Sequence, residues 1–181
     1  MSLSFRAKIR KDFLSFLQAY YASISGDYVW DQDIDKTKIL IADSRPEHMV
    51  LPAIIAVGGR FSSVGSIGSM HGDAKIDGTR DVIKTYIGNI NLKVFASNEL
   101  ESDSIAFKID EIFGNYGNMA NFVRSSKYIS RIDDIIINPT VPLNTEPAEF
   151  MTTVRFSIMV NFKRIYKLVD SSIMGNVNVG T

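Results

Sequence analysis

Phe150-Met-Thr-Thr-Val-Arg-Phe-Ser-Ile-Met-Val-Asn-Phe162 is the stretch on which the fold turns. Phe150, Val154, Phe156, Ile158, Val160 and Phe162 stand against Met151, Thr153, Arg155, Ser157 and Asn161. Successive strand side chains point to opposite faces, so this alternation predicts a long strand with one buried face. A second apolar run, Ile129 to Ile137, precedes it, and Pro139, Pro142 and Pro147 lie between the two. Proline has a fixed φ and no N–H. The two strands are therefore expected to pair antiparallel across a stiff, extended tip, forming a protruding late hairpin.

Reading back toward the amino terminus, Tyr86, Ile90, Leu92 and Val94 alternate with Lys84, Asn91 and Lys93. They predict a half-buried strand from Val82 to Ser97, with Gly88 as a bulge candidate. Asn98, followed three positions later by Glu101, has the form of a capping box that opens a helix. Ile105, Ala106, Ile109, Ile112 and Phe113 form its buried stripe, and Gly114 is suited to a left-handed stop. Phe5, Ile9, Phe13, Phe16, Leu17 and Tyr20 recur at helical spacing, with Arg6, Lys8, Arg10 and Lys11 mostly off the stripe. That pattern predicts an amphipathic first helix from Phe5 to Tyr21. Ile39 to Ile41 and Met49 to Val57 read as strands; Pro52 requires an edge, a bulge or a strand end. Six glycines between Gly58 and Gly78 predict a long Gly-rich loop. The tail beyond residue 170, with Val177 and Val179 in weak alternation, reads as a frayed end or as an arm exchanged with a neighbour.

The order is helix, strands, helix, strands, with no repeat and no linker between two cores. The expected architecture is one α+β domain over residues 1–181, a mainly antiparallel sheet with two principal helices packed on one face. Its 181 residues and 45% hydrophobic content suit a single domain with a substantial core. Twenty basic and twenty acidic side chains cancel, which disfavours a general nucleic-acid binder. The absence of cysteine excludes disulfides, thiolate nucleophiles and cysteine-ligated metal, and suits a reducing compartment. Four basic residues among the first eleven interrupt what a secretory signal needs as an apolar run. The run from Met49 to Val57 is broken by Pro52 and falls far short of the roughly 20 residues of a membrane span. No membrane association is expected.

The search for chemistry is mostly negative. The glycines from Gly58 onward suggest a phosphate cradle, but no Gly-Lys-Ser/Thr closes the loop and the dinucleotide spacing is missing. Asp31, Asp33 and Asp35 open like a calcium loop, yet Lys36 and Ala42 occupy the positions where that motif needs glycine and a bidentate glutamate. His48 and His71 have no metal-ligand spacing, and no Gly-x-Ser-x-Gly elbow is present. Asp133 and Asp134 are adjacent in a strand; they make a poor acid/base pair and read as charges that discourage edge pairing. No catalytic residue, cofactor or metal is expected. The chain instead commits residues to a long loop, a proline-stiffened hairpin, a terminal arm and long strands, which are devices for reaching neighbours.

The segment Asn91-Leu-Lys-Val-Phe-Ala-Ser-Asn-Glu-Leu-Glu-Ser-Asp-Ser-Ile-Ala-Phe-Lys-Ile-Asp-Glu-Ile-Phe113 resembles the tail-terminator and neck proteins of tailed phages. In that family a long strand runs directly into an acidic-started amphipathic helix, and the order of the other elements is similar. The resemblance implies a virion subunit assembled in the host cytoplasm, forming a ring, commonly a homohexamer, that caps the tail tube. Its implied partners are further copies of itself, the tube or sheath protein and the head completion or connector proteins. DNA would pass through the lumen without sequence-specific binding. By this analogy Arg60, Phe61, His71, Lys75 and Arg80 are candidates for a subunit interface or a lumen loop, the other reading being an ordinary surface loop. The alternatives are another connector or contractile-injection subunit, or a small nucleotide-binding enzyme that uses the Gly-rich loop.

Overall fold

The structure, a computed structural model, describes residues 4–46, 50–64, 69–74 and 79–167; in 69–74, 79–81 and 164–167 the description is of the backbone. It is α+β: three helices cover one face of a seven-stranded, mainly antiparallel sheet. The chain runs α1 (Phe5–Ser23), β1 (Leu40–Ala42), β2 (Ala53–Ser63), β3 (Ser69–Ala74), β4 (Thr79–Ala96), α2 (Glu99–Gly114), α3 (Tyr116–Ser125), β5 (Ile129–Ile137), β6 (Val141–Leu143) and β7 (Glu149–Lys167). The main sheet order is β1-β2-β4-β7-β5; β3 pairs with β4 beyond the end of β2, and β6 pairs with β7 beyond the end of β5. Only β1 and β2 pair in parallel among the described strands.

Alternation places the core. Ile54, Ala56, Ile90, Leu92, Val94, Val154, Phe156, Ile158 and Val160 are buried on one face of the central strands. Against them pack Ile9, Phe13, Leu14, Leu17 and Tyr21 of α1, then Ile105, Ala106, Ile109, Ile112 and Phe113 of α2. Phe13, Phe113, Phe122 and Phe156 meet with ring centroids 4.7–5.5 Å apart, a favourable tilted and edge-on arrangement. The opposite face holds a small apolar cluster of Ala53, Ile55 and Phe95, with Leu143 and Met151 alongside.

Asn98 caps α2 as expected, accepting the Glu101 N–H at 2.8 Å. The reciprocal half of the box differs. Glu101 accepts the Ser97 hydroxyl at 3.2 Å and the Tyr28 hydroxyl at 3.5 Å instead. Gly114 is not a left-handed stop; among the described residues only Gly26 has positive φ. The helix ends because Asn115 turns extended, at φ −70° and ψ 118°, and at once accepts the Asn118 N–H to start α3. That third helix was not expected: its one buried residue, Phe122, leaves too thin a stripe to read as a period.

Pro52 stands at a strand end, immediately before β2, and β2 begins at Ala53 and not at Met49. The larger correction concerns Gly58 to Gly78. The segment is not one long loop, because Gly58–Ser63 complete β2 and Ser69–Ala74 form β3. Backbone pairing with an already long β4 overrides the weak strand preference of glycine. The late hairpin forms as predicted, β5 pairing antiparallel with β7. Its proline-rich connection lies along β7 as β6, and Glu149 at its base is bound to Arg45 at 2.6 Å.

Candidate interaction surface

Strands β4 and β7 have 18 and 19 residues, about three times the usual five or six. They pair without interruption from Thr79↔Lys167 to Ala96↔Phe150. At about 3.4 Å per residue β7 is roughly 65 Å long, longer than the helix layer that covers it. That layer ends at Phe5, the first residue of α1, which packs on Phe61, Tyr86 and Phe162 at centroid separations of 5.4–5.6 Å. Beyond this aromatic row β4, β7 and β3 continue as a three-stranded blade. Lys8 adds a cation over the Tyr128 ring at 5.7 Å, close to the same row.

A bulge marks the root of the blade. The β2–β4 register shifts between Gly58 and Phe61, and the Arg60 N–H, displaced from the ladder, donates to Asn89 Oδ1 at 3.0 Å. Glycine is required on both sides. A Cβ on Gly59 would strike Asn89, and one on Gly88 would strike the Phe61 ring and the Arg60 carbonyl. These glycines serve a strand bulge and do not precede a helix, so the cradle geometry that a phosphate needs is not built here.

Two of the candidate interface residues stand at the root of this blade and two lie on it. Arg60 is exposed at the bulge, and Phe61 is half-buried in the aromatic row. His71 lies in β3 opposite Val82, and Arg80 lies in β4 opposite Tyr166 and Ala74. Lys75 lies outside the described residues, as do His48 and the tail from 168 onward. The bulge glycines and Asn89 carry the shape of this surface; Gly88 is legible in the sequence as a bulge candidate, whereas the parts of Gly59 and Asn89 are not. The spacing of Gly59 and Gly88 was available, but nothing in it says that the two meet.

In the acidic loop the carboxylates are occupied locally. Asp31 Oδ1 accepts the Asp33 N–H at 2.8 Å, Asp33 Oδ1 accepts the Asp35 N–H at 3.2 Å, and Asp33 pairs with Lys36 at 3.1 Å. Among the described residues no three acidic or imidazole side chains converge as a metal site. A cleft of about 550 Å³ lies between the end of α1 and α2, lined by Tyr21, Tyr28, Phe107 and Lys108 among others. Burial pushes the Tyr21 phenol well above its ordinary range, with the neighbouring Tyr20 and Tyr28 adding to the effect. Tyr28 is raised too, by desolvation first and then by Glu101, while the hydrogen bond to Glu111 raises exposed Lys108. No described helix is long and apolar enough to cross a membrane. No protein-family model matches the chain, and no curated protein sequence matches it.

Proposed function

We propose that this chain is a structural subunit of a tailed-phage virion, a tail-terminator or neck protein that forms a ring on the tail tube. The observation that carries the reading is the blade: two paired strands of 18 and 19 residues that outrun the helices covering them. A strand pair that runs past the helix layer costs ordering entropy with less core to offset it, and contact with a neighbour supplies the return. Support also comes from the junction at Ser97-Asn98, where β4 passes directly into acidic-started α2, the feature shared with that family. In this reading the copies close as a homohexamer, the tube or sheath and the head connector are the further contacts, and the lumen passes DNA. The protein then acts by shape and not by catalysis. Enclosing a fixed number of copies stops tube growth, because cyclic closure leaves no free interface.

The test is mass and shape in solution. Light scattering and negative-stain imaging are expected to give discrete rings, alone or with tail tube, and added protein is expected to cap tubes at one end. A monomer that stays monomeric with tube present would overturn the reading. Stabilisation by nucleotide in a thermal-shift screen would favour the enzyme alternative instead.

A further inference from the structure

Strand β2 has an edge that its own chain leaves open. β1 pairs with it only from Ala53 to Ile55, and no described strand follows on that side as β2 runs on to Ser63. The Leu40 N–H donates to the Pro52 carbonyl at 3.0 Å. In a parallel ladder alternate residues turn both backbone groups to the same neighbour. Pro52 and Ile54 thus face β1, the Ala56 N–H meets the Ala42 carbonyl at the end of β1, and the Ala56 C=O with both backbone groups of Gly58 turn to the side that β1 has vacated. Arg10 of α1 reaches over this point, its Cδ 3.8 Å from where a Gly58 Cβ would stand. Its Nε is buried and has no acceptor. A recess of about 450 Å³ opens beside this edge between Arg10, Asp43, Ser44 and Arg45, and extends from Val57 across the outer face of the sheet to Phe95 and Met151. An open ladder and an unmet cationic donor stand together, and both ask for an extended segment that brings carbonyls and a carboxylate.

We infer that this edge binds the segment 168–181 of a second copy as an added strand. The segment has no lysine or arginine and carries Asp170, and Val169, Ile173, Val177 and Val179 fall on one parity, the pattern of a half-buried strand. Among the described residues its own sheet offers it no further partner, since Lys167 pairs with Thr79, the first residue of β4. Its own β2 edge is out of range as well. Gly58 is level with Ile90, so the return from the Thr79 row is roughly 37 Å at about 3.4 Å per residue. Fourteen residues span at most about 50 Å, which leaves about three for pairing. The other sheet edge, β5, is blunted by two register shifts and by Asp133 and Asp134, which repel an acidic strand. The contact is head-to-tail and can close into a ring; it rests on the self-assembly proposed above and names its interface.

The experiment uses two full-length variants. Gly58→Pro removes the edge N–H and leaves the β4 side of the ladder in place; Ile173→Pro with Val177→Pro breaks the incoming strand. Each, folded by circular dichroism and thermal unfolding, is expected to be monomeric in light scattering. Their equimolar mixture is expected to yield a dimer and nothing larger, since one copy keeps the edge and the other keeps the segment. If Gly58→Pro does not fold, Arg10→Met takes its place, with self-association expected to weaken about tenfold. Variants that assemble like the wild type, or a mixture that stays monomeric, overturn this contact. Rings that persist in both variants leave the ring reading standing, whereas a wild type that never assembles, even with tube, removes both.

Discussion

A Cβ on Gly88 has nowhere to go, because the Arg60 carbonyl on the other side of the bulge is backbone and cannot rotate away. Gly88→Ala is expected to lower stability by about 1–3 kcal/mol, the usual range for overpacking, read as a fall in the denaturant midpoint. Gly114→Ala is the control, since Gly114 ends α2 with open space around it and no positive φ. There the change is expected to be neutral or to stabilise by about 0.4–1 kcal/mol, by restricting the unfolded chain. Tyr21 is 1% exposed and its hydroxyl has no partner. Its folded pKa is raised, so the stability linked to its neutral form is complete below the unfolded value of roughly 10 and is lost as pH rises toward the folded one. Melting temperature is therefore expected to fall in the alkaline range. Tyr21→Phe is expected to flatten that fall and to leave neutral-pH stability unchanged or up to about 1 kcal/mol higher; an unaltered alkaline profile would assign the loss to other groups.

At the scale of elements, α2 is locked to the sheet by a small polar network. The Ser102 hydroxyl donates to the Val94 carbonyl at 3.2 Å and meets the Thr152 hydroxyl at 2.7 Å. Thr152 in turn meets the Thr140 hydroxyl, and Asp103 accepts from both threonines. Ser102 and Thr152 are fully buried, so Thr152→Val takes away one of the two partners of Ser102 and one of the donors to Asp103. A cost of about 1–3 kcal/mol is expected, measured by chemical unfolding; a change below about 0.5 kcal/mol would show that the network rearranges. These residues also show what the sequence yields at this scale. Ile105, Ile109 and Phe113 were legible as a buried stripe because a helix enforces their neighbourhood. The partnership of Ser102 with Thr152 was not, since fifty positions separate them. Strand β3 and the second half of β2 were hidden for a related reason. Glycine and serine say turn by local preference, and only the prior presence of β4 makes them strand.

For the whole molecule, uneven support predicts uneven stability. The rows around Ile90 to Val94 and Val154 to Ile158 lie under the helices, whereas the rows toward Thr79 and Lys167 lie past them. Amide exchange is expected to be slowest in the first set and faster in the blade of the isolated subunit, with the blade becoming protected on assembly. Equal protection along β4 in a monomer would show that the blade needs no neighbour. The candidate surface was half legible: Arg60, Phe61, His71 and Arg80 were placed in one segment, but as a loop, and the open edge of β2 with Arg10 beside it was not seen at all. The sequence by itself determined the α+β class, the buried faces of α1, α2, β4 and β7 and the cap at Asn98. Periodicity and capping are properties of neighbours along the chain, and these elements obey them. The blade, the meeting of Gly59 and Gly88 across the bulge, α3 and the unpaired edge were decided only by the tertiary structure. Each depends on which distant segments share a row of the sheet or a side of the core, and strand pairing between remote residues leaves no period in the sequence.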